Sequence, residues 1–295
     1  MPNGDRPTDK QHFIPRVYLK EFSEIKRTDK VEKAFIWQFD LKRMKQIPAP
    51  VNIADICYEK NLYELWDEKG NFLARNIIEK TYEKIERAFG GALESIKRRT
   101  QDEKCLFCTT FLSEEEKNML IIFITTLMYR DPVSIGRGIA FLHESNPDMS
   151  DIQRRNFTIL NLLPLGLNPE WDQKTVSRTA LDNLSNMAFQ IGIASDNAIF
   201  TSDNPIVLWP SHNNECPNRP EAVAFPLTSR LVLYLFPLEN LDSIGSNYFF
   251  QMDEERVREI QMNIAIRAKR WIYSREKLSD MQVEQIKEAR ARIKR

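Results

Sequence analysis

Ser202, Asp203 and Asn204 form a compact group of polar side chains beside an apolar segment. They follow the segment AIFT at 198–201 and precede Pro205, so they stand at the end of a predicted strand. In that position a hydroxyl, a carboxylate and an amide could face a cleft and act on a substrate. The same side chains could instead cap the turn and satisfy backbone amides, which needs no ligand. The residues alone leave both interpretations open.

A second group of candidates consists of carboxylates on a predicted long helix. Glu79, Glu83 and Glu86 are spaced i, i+4 and i+7, which places them on one helix face. Glu79 and Glu86, together with Asp203, could supply oxygen ligands to Mg²⁺ or Mn²⁺. The alternative is a solvated acidic face paired with neighbouring basic residues of the same helix.

His12 and Arg130 are the remaining catalytic candidates. His12 lies among apolar residues and could act as a general acid or base, or as a buried hydrogen-bonding residue. Arg130 ends an apolar helix, where a cation is stabilising, and its planar guanidinium could also hold a phosphate. If His12, Arg130, Ser202 and Asp203 converge, the set is suited to phosphodiester chemistry. The active-site hypothesis depends on that convergence.

Four residues have the types of zinc ligands, namely Cys105, Cys108, His212 and Cys216. The two halves of this set are distant in the sequence. Structural cysteines in a reducing compartment are therefore the preferred interpretation, and zinc is not expected.

The charge balance limits the possible partners. Lys and Arg number 42, as do Asp and Glu, so the chain lacks the basic excess typical of duplex DNA or membrane binding. The longest apolar stretch, 119–128, is about half the length of a membrane span. The sequence therefore predicts a cytoplasmic protein that binds no membrane. Nucleic acid or a nucleotide is the candidate partner only because the candidate residues are suited to phosphodiester chemistry.

The elements that must position these residues suggest an α+β fold. Phe35, Trp37 and Phe39 alternate in a strand pattern, and a hairpin is expected through Asp196 and Asn197. The predicted organisation is one mainly antiparallel sheet built from both chain ends, with a helical middle layer. Its parts are a disordered leader at 1–10 and a single globular domain at 11–295, which contains a helical middle at 73–190, a sheet-forming part at 187–274 and a terminal helix at 276–293.

Several segments in consistent order resemble the family called domain of unknown function 4238. HFIPRVYLKEF matches its opening signature through His12, Pro15, Tyr18, Leu19 and Phe22. The further matching segments and residues are FIWQFD, Glu79, Glu86, Arg130, Pro132, FTSDNPIV at 200–207, FPLT at 225–228 and Asn263. The resemblance covers residues 11–274. It supports the architecture and implies no reaction.

Two classes of function explain these polar residues. A third explanation gives them a purely structural role. The first is a metal-assisted phosphodiester hydrolase, a nuclease-like effector that would suit bacterial stress or phage defence. In it His12 is the acid or base, Arg130 holds the anion, and the carboxylates bind a metal or water. The alternative is a non-catalytic sensor module that binds a small ligand or a partner protein. The sequence does not decide whether the protein is an enzyme.

Overall fold

The computed structural model describes residues 9–28, 31–101, 111–162, 176–209, 220–238 and 247–293. Its architecture is α+β with mainly antiparallel sheets, which confirms the predicted class. The helices in these ranges are α1 (Arg16–Leu19), α2 (Ile77–Thr100), α3 (Glu114–Tyr129), α4 (Pro132–Ser145), α5 (Asp151–Asn161), α6 (Val176–Ser185), α7 (Glu254–Arg267) and α8 (Asp280–Ile293).

The strands fall into three sheets. They are β1 (Lys10–His12), β2 (Glu24–Thr28), β3 (Val31–Asp40), β4 (Lys45–Gln46), β5 (Val51–Asn52), β6 (Tyr58–Lys60), β7 (Met187–Ile193), β8 (Thr201–Ser202), β9 (Val207–Trp209), β10 (Ala222–Pro226), β11 (Leu231–Pro237), β12 (Asn247–Gln251) and β13 (Trp271–Ser274). Since Lys10 belongs to β1, the predicted disordered leader is wrong at that residue, and residues 1–8 lie outside the described ranges.

One sheet combines both ends of the chain, as the sequence predicts. Its order is β2-β3-β13-β8, with β4 and β5 also pairing with β3. Ile36 and Phe39 of β3 are buried, because alternate side chains of a strand point to the same face. The buried phenol of Tyr18 is hydrogen-bonded to Thr201 of β8 at 2.6 Å. The start of the chain is therefore tied to this sheet through α1.

A second sheet has the order β12-β7-β11-β10-β9 and comes from the later part of the chain. All seven residues of its central strand β7 are buried. The predicted hairpin through Asp196 and Asn197 is wrong, since β7 pairs with β11 and β12 while β8 pairs with β13. The physical reason is that the amides of Ala194 and Ile199 donate to carbonyls at 229–230, which directs the chain away from β7.

Capping residues set the helix boundaries in the middle of the chain. Ser113 and Glu116 form a capping box at the start of α3. The Ser113 hydroxyl accepts the backbone amide of Glu116, and the Glu116 carboxylate accepts the backbone amide of Ser113. Asp131 caps α4, whose first residue is Pro132. α2 runs without a break through Gly90, where a Cβ atom would lie 3.2 Å from Val17. α8 begins later than predicted, because Ser279 accepts the amide of Gln282.

The chain divides into two compact units. Unit 1 contains Met1–Pro15, Cys57–Phe89 and Asn118–Ser185, and unit 2 contains Arg16–Ile56, Gly90–Lys117 and Asn186–Arg295. The core of unit 1 is formed by apolar side chains that include Leu62, Tyr63, Tyr82, Ile135 and Ile159. The core of unit 2 lies on the two larger sheets. The single domain expected over 11–295 stays a prediction.

None of the described helices is by itself long and apolar enough to cross a membrane. The pair α3 and α4, which is bent by 65°, has the length and composition of a broken membrane span when the two helices are taken together.

Candidate functional site

Arg130 is the largest fully buried side chain of unit 1, with 1% of its surface exposed. Its Nη1 donates to Glu86 Oε1 at 2.9 Å, and its Nη2 donates to the carbonyl of His12. The guanidinium carbon lies 4.2 Å from the centre of the Tyr82 ring. The Tyr63 hydroxyl donates to the Arg130 carbonyl at 2.7 Å. Protein groups therefore satisfy Arg130, and an anion would have to compete with Glu86 for it.

Glu79 is the carboxyl of this region with the most perturbed ionisation. Its Oε2 is buried and has no hydrogen-bond partner within the described ranges. Burial raises the pKa of Glu79 to about 7, Arg130 opposes that rise, and the nearby carboxylates of Glu86, Glu83 and Glu64 add to it. A carboxyl that titrates near neutral pH is suited to accept and return a proton.

His12 belongs to β1, and its ring lies beside the ring of Tyr58, 5.6 Å away between centres. Its backbone carbonyl is the group that Arg130 binds. The structure thus brings the main chain of His12, Glu86 and Arg130 together, and Glu79 lies within their electrostatic influence. The catalytic roles of these residues stay predictions.

Ser202, Asp203 and Asn204 lie in unit 2, where they connect β8 to the segment between α7 and β13. The two carboxylate oxygens of Asp203 accept the backbone amides of Lys269, Arg270 and Trp271 at 2.9–3.1 Å. Burial raises the pKa of Asp203, and these three amides oppose the rise.

The neighbours of Asp203 complete the same connection. Asn204 Nδ2 donates to the carbonyl of Arg267 at the end of α7, and the backbone amide of Asn204 donates to Ser202 Oγ at 3.1 Å. The three side chains thus perform the turn-capping role that was one of the two interpretations of this segment. A catalytic role for them remains a prediction.

The predicted metal ligands belong to both units. Glu79 and Glu86 are in unit 1 and Asp203 is in unit 2, so their convergence on Mg²⁺ or Mn²⁺ stays a prediction. Across the described part of the chain, no three His, Cys, Asp or Glu side chains are grouped as a metal site. The residues considered for zinc (Cys105, Cys108, His212 and Cys216) lie outside the described ranges.

A cleft of about 560 Å³ in unit 2 was missed by the sequence reasoning; we call it the aromatic cleft. Its floor is one face of the five-stranded sheet, and its wall is one face of α7. The floor residues are Gln190, Trp209, Glu221, Ala222, Tyr234, Phe236, Tyr248 and Phe250, and the wall residues are Arg256, Glu259, Ile260 and Asn263. The wall positions have the spacing i, i+3, i+4 and i+7, which selects one helix face.

The rings of the floor are set by the strand register. Gln190 lies opposite Tyr234 on β11 and opposite Tyr248 on β12, so the three residues form one row across the sheet. The Tyr234 ring lies 5.8 Å from that of Phe250, and the Arg256 guanidinium lies 5.0 Å from the Phe250 ring centre. These contacts make a continuous aromatic surface with a cation at its edge.

Several polar groups that line the cleft make no hydrogen bond to the described residues. Gln190 is only 6% exposed, yet its amide makes no hydrogen bond within the described ranges. The same holds there for the hydroxyls of Tyr234 and Tyr248 and for the charged groups of Arg256 and Glu259. Burial raises the pKa of Tyr234, and Glu259 adds to the rise, so this hydroxyl keeps its proton at neutral pH. Polar groups that line a cavity without hydrogen bonds to the protein indicate a place for a ligand.

The sequence contains a signal for this cleft. In YLF at 234–236 and YFF at 248–250, Tyr and Phe are two residues apart, so each pair lies on one face of its strand. The polar helix face that follows at 256–263 is recognisable by its spacing. The partner strand β7, however, follows from no local pattern.

Residues 10–278 of the chain match the family model described as protein of unknown function, DUF4238. No curated protein and no solved structure is significantly similar to the chain.

Proposed function

The chain belongs to the DUF4238 family of proteins of unknown function, and from this premise we propose that it is a module that binds a small organic ligand in the aromatic cleft. The observation that carries the proposal is the Gln190 amide, which lies on the cleft floor and makes no hydrogen bond to the described residues. A ligand that pairs with this amide replaces its water contacts and gains about 0.5–1.5 kcal/mol for each hydrogen bond. The volume of about 560 Å³ lies within the range of ligand pockets.

A variant that fills the cleft tests this proposal. Ala222 is a small, half-buried residue of the floor, and Ala222→Trp places an indole in the space of the ligand. The matched control is Ala291→Trp, which adds the same side chain at an exposed position of α8. Both variants should first show the circular dichroism spectrum of the original protein.

The assay is thermal unfolding in the presence of a panel of nucleotides, aromatic amino acids, sugars and organic acids. A ligand at 100 times its Kd stabilises the folded state by about 2.7 kcal/mol. We expect at least one compound to raise the Tm of the original protein and of Ala291→Trp, and not that of Ala222→Trp. The proposal is wrong if no compound shows this dependence on the cleft.

A second proposal is metal-assisted phosphodiester hydrolysis by a nuclease-like effector, with a role in bacterial stress or phage defence. The observation that favours it is the pKa of about 7 at Glu79, beside the Arg130 and Glu86 pair. Glu79 would accept the proton of the attacking water, and Glu86 would be one ligand of Mg²⁺ or Mn²⁺.

Turnover of RNA, DNA and nucleotides in the presence of Mg²⁺ or Mn²⁺ tests the second proposal. Glu79→Gln keeps the shape of the side chain and should abolish turnover, as should His12→Ala, while Glu83→Gln on the exposed side of the same helix should not. Expression of an active effector should also arrest bacterial growth, and Glu79→Gln should relieve the arrest. Absence of turnover with all of these substrates contradicts hydrolysis and leaves the binding proposal intact.

A further inference from the structure

We infer that the ligand of the aromatic cleft is a mononucleotide, with its base on the aromatic floor and its sugar and phosphate at the mouth beside Glu259 and Arg256. This inference rests on the proposed ligand-binding function and names the class of compound. It follows from three properties of the cleft: the aromatic rings of the floor, the polar groups of the interior, and the charges at the opening.

The floor is suited to a flat aromatic ligand. Tyr234 and Phe236 of β11 present nearly parallel rings, with planes 7° apart and centres separated by 6.2 Å. The Phe250 ring stands beside Tyr234 at 5.8 Å and is tilted by 42°. Gly192 of β7 leaves room beside Phe250, since a Cβ atom there would lie 2.7 Å from Sδ of Met252 and 3.1 Å from Cζ of Phe250. Every nucleobase has a π face that stacks on such rings, and each stacked base contributes about 1–3 kcal/mol.

The interior requires a heterocycle rather than a hydrocarbon. Gln190 is buried between Tyr234 and Tyr248, and its amide offers one acceptor and two donors. A hydrocarbon ring would leave this amide unpaired. A nucleobase edge has a donor and an acceptor side by side, which is the pattern that a Gln side chain pairs with in two hydrogen bonds. Asn263, whose Nδ2 donates to the Glu259 carbonyl at 3.1 Å, provides its Oδ1 as a further acceptor.

The charges at the opening match a sugar phosphate. Arg256 and Glu259 are exposed and stand about one helical turn apart on α7. A carboxylate accepts hydrogen bonds from a pair of ribose hydroxyls, and a guanidinium binds a phosphate with two parallel hydrogen bonds. A base without a sugar phosphate would leave both charged groups unused.

Isothermal titration of the full-length protein tests the inference part by part. The probes are the monophosphates of adenosine, guanosine, cytidine and uridine, the corresponding nucleosides, and the 2′,3′-dideoxynucleosides. We expect at least one monophosphate to bind the original protein. Gln190→Leu should lower the affinity for that monophosphate by about 5-fold to 100-fold.

The two charged residues should act on different parts of the ligand. Arg256→Gln should lower the affinity for the monophosphate by about 10-fold or more and leave the affinity for the nucleoside unchanged. Glu259→Gln should lower the affinity for the nucleoside and leave the affinity for the dideoxynucleoside unchanged. The matched controls Arg258→Gln and Glu255→Gln change exposed residues of the same helix that do not line the cleft, and neither should alter affinity.

The outcomes separate this inference from the proposed function. If none of the four monophosphates binds while another compound binds in a manner that Ala222→Trp abolishes, the nucleotide inference is wrong and the ligand-binding proposal stands. If the monophosphates bind Ala222→Trp as well as the original protein, their site lies elsewhere and the inference is also wrong. If no compound shows binding that depends on the cleft, both are overturned.

Discussion

Replacement of Glu79 by Gln should remove a pH dependence of stability that this carboxyl creates. Glu79 has a pKa of about 7 in the folded protein against the usual 4.5, because burial disfavours its charged form. Its Oε2 is buried without a hydrogen-bond partner within the described ranges, so nothing there compensates that atom for the loss of water. Gln has nearly the same shape and carries no proton that titrates in this range.

The sign of the effect follows from proton binding. Below pH 4.5 the carboxyl is protonated in both states and has no effect. Between pH 4.5 and 7 the unfolded chain releases the proton first, so the folded state binds more protons and the free energy of unfolding falls as pH rises. At about 1.4 kcal/mol for each pH unit, the loss reaches roughly 3 kcal/mol above pH 7. Because water screens the partly exposed side chain, we expect the loss of unfolding free energy to be on the order of 1–3 kcal/mol.

Urea unfolding at intervals from pH 4 to 8.5 measures this difference. We expect Glu79→Gln and the original protein to have similar stability near pH 4, and Glu79→Gln to be the more stable above pH 7. Glu255→Gln replaces an exposed carboxyl of α7 that is not among the groups that shift the Glu79 pKa, so it is the control and should follow the original protein. A difference between Glu79→Gln and the original protein that is constant from pH 4 to 8.5, or that grows toward low pH, would refute the reasoning.

Four further substitutions, the last two of them also combined, test the buried polar contacts by urea unfolding. Asp203→Asn should lower the free energy of unfolding by about 2–4 kcal/mol, because one carbonyl oxygen replaces a carboxylate that accepts three amides; a loss below 0.5 kcal/mol would contradict its structural role. Arg130→Met should lower it by about 3–5 kcal/mol, since the Glu86 pair and the bond to the His12 carbonyl are both lost; an unchanged stability would show that the pair is not needed. Tyr18→Phe and Thr201→Val should each lower the free energy of unfolding by about 1–3 kcal/mol, and the double variant should lose less than the sum of the two. Additive losses would disprove the shared hydrogen bond.

The predicted active site could be anticipated only in part. The family-matching charges Glu86 and Arg130 were recognised as candidates because a charged residue next to apolar segments needs a partner, and the structure pairs them with each other. Their pairing across 44 residues of sequence has no local signature. For the same reason the acceptor role of Asp203 toward amides at 269–271 was not predictable, since those amides are donated by a segment more than 60 residues later.

Local patterns in the chain predict several elements and some of their ends. The alternation in FIWQFD predicts β3, and Ser113 and Asp131 mark helix starts, because capping and periodicity depend on neighbours within a few residues. The pairing of the strands and the position of the cavity follow only from the tertiary fold. β7 lies between β11 and β12 rather than beside β8, and that placement puts Gln190 among the rings of the aromatic cleft. Strand pairing uses backbone groups that every residue carries, so the choice of partner depends on the packing of distant side chains and leaves no periodic trace in the chain.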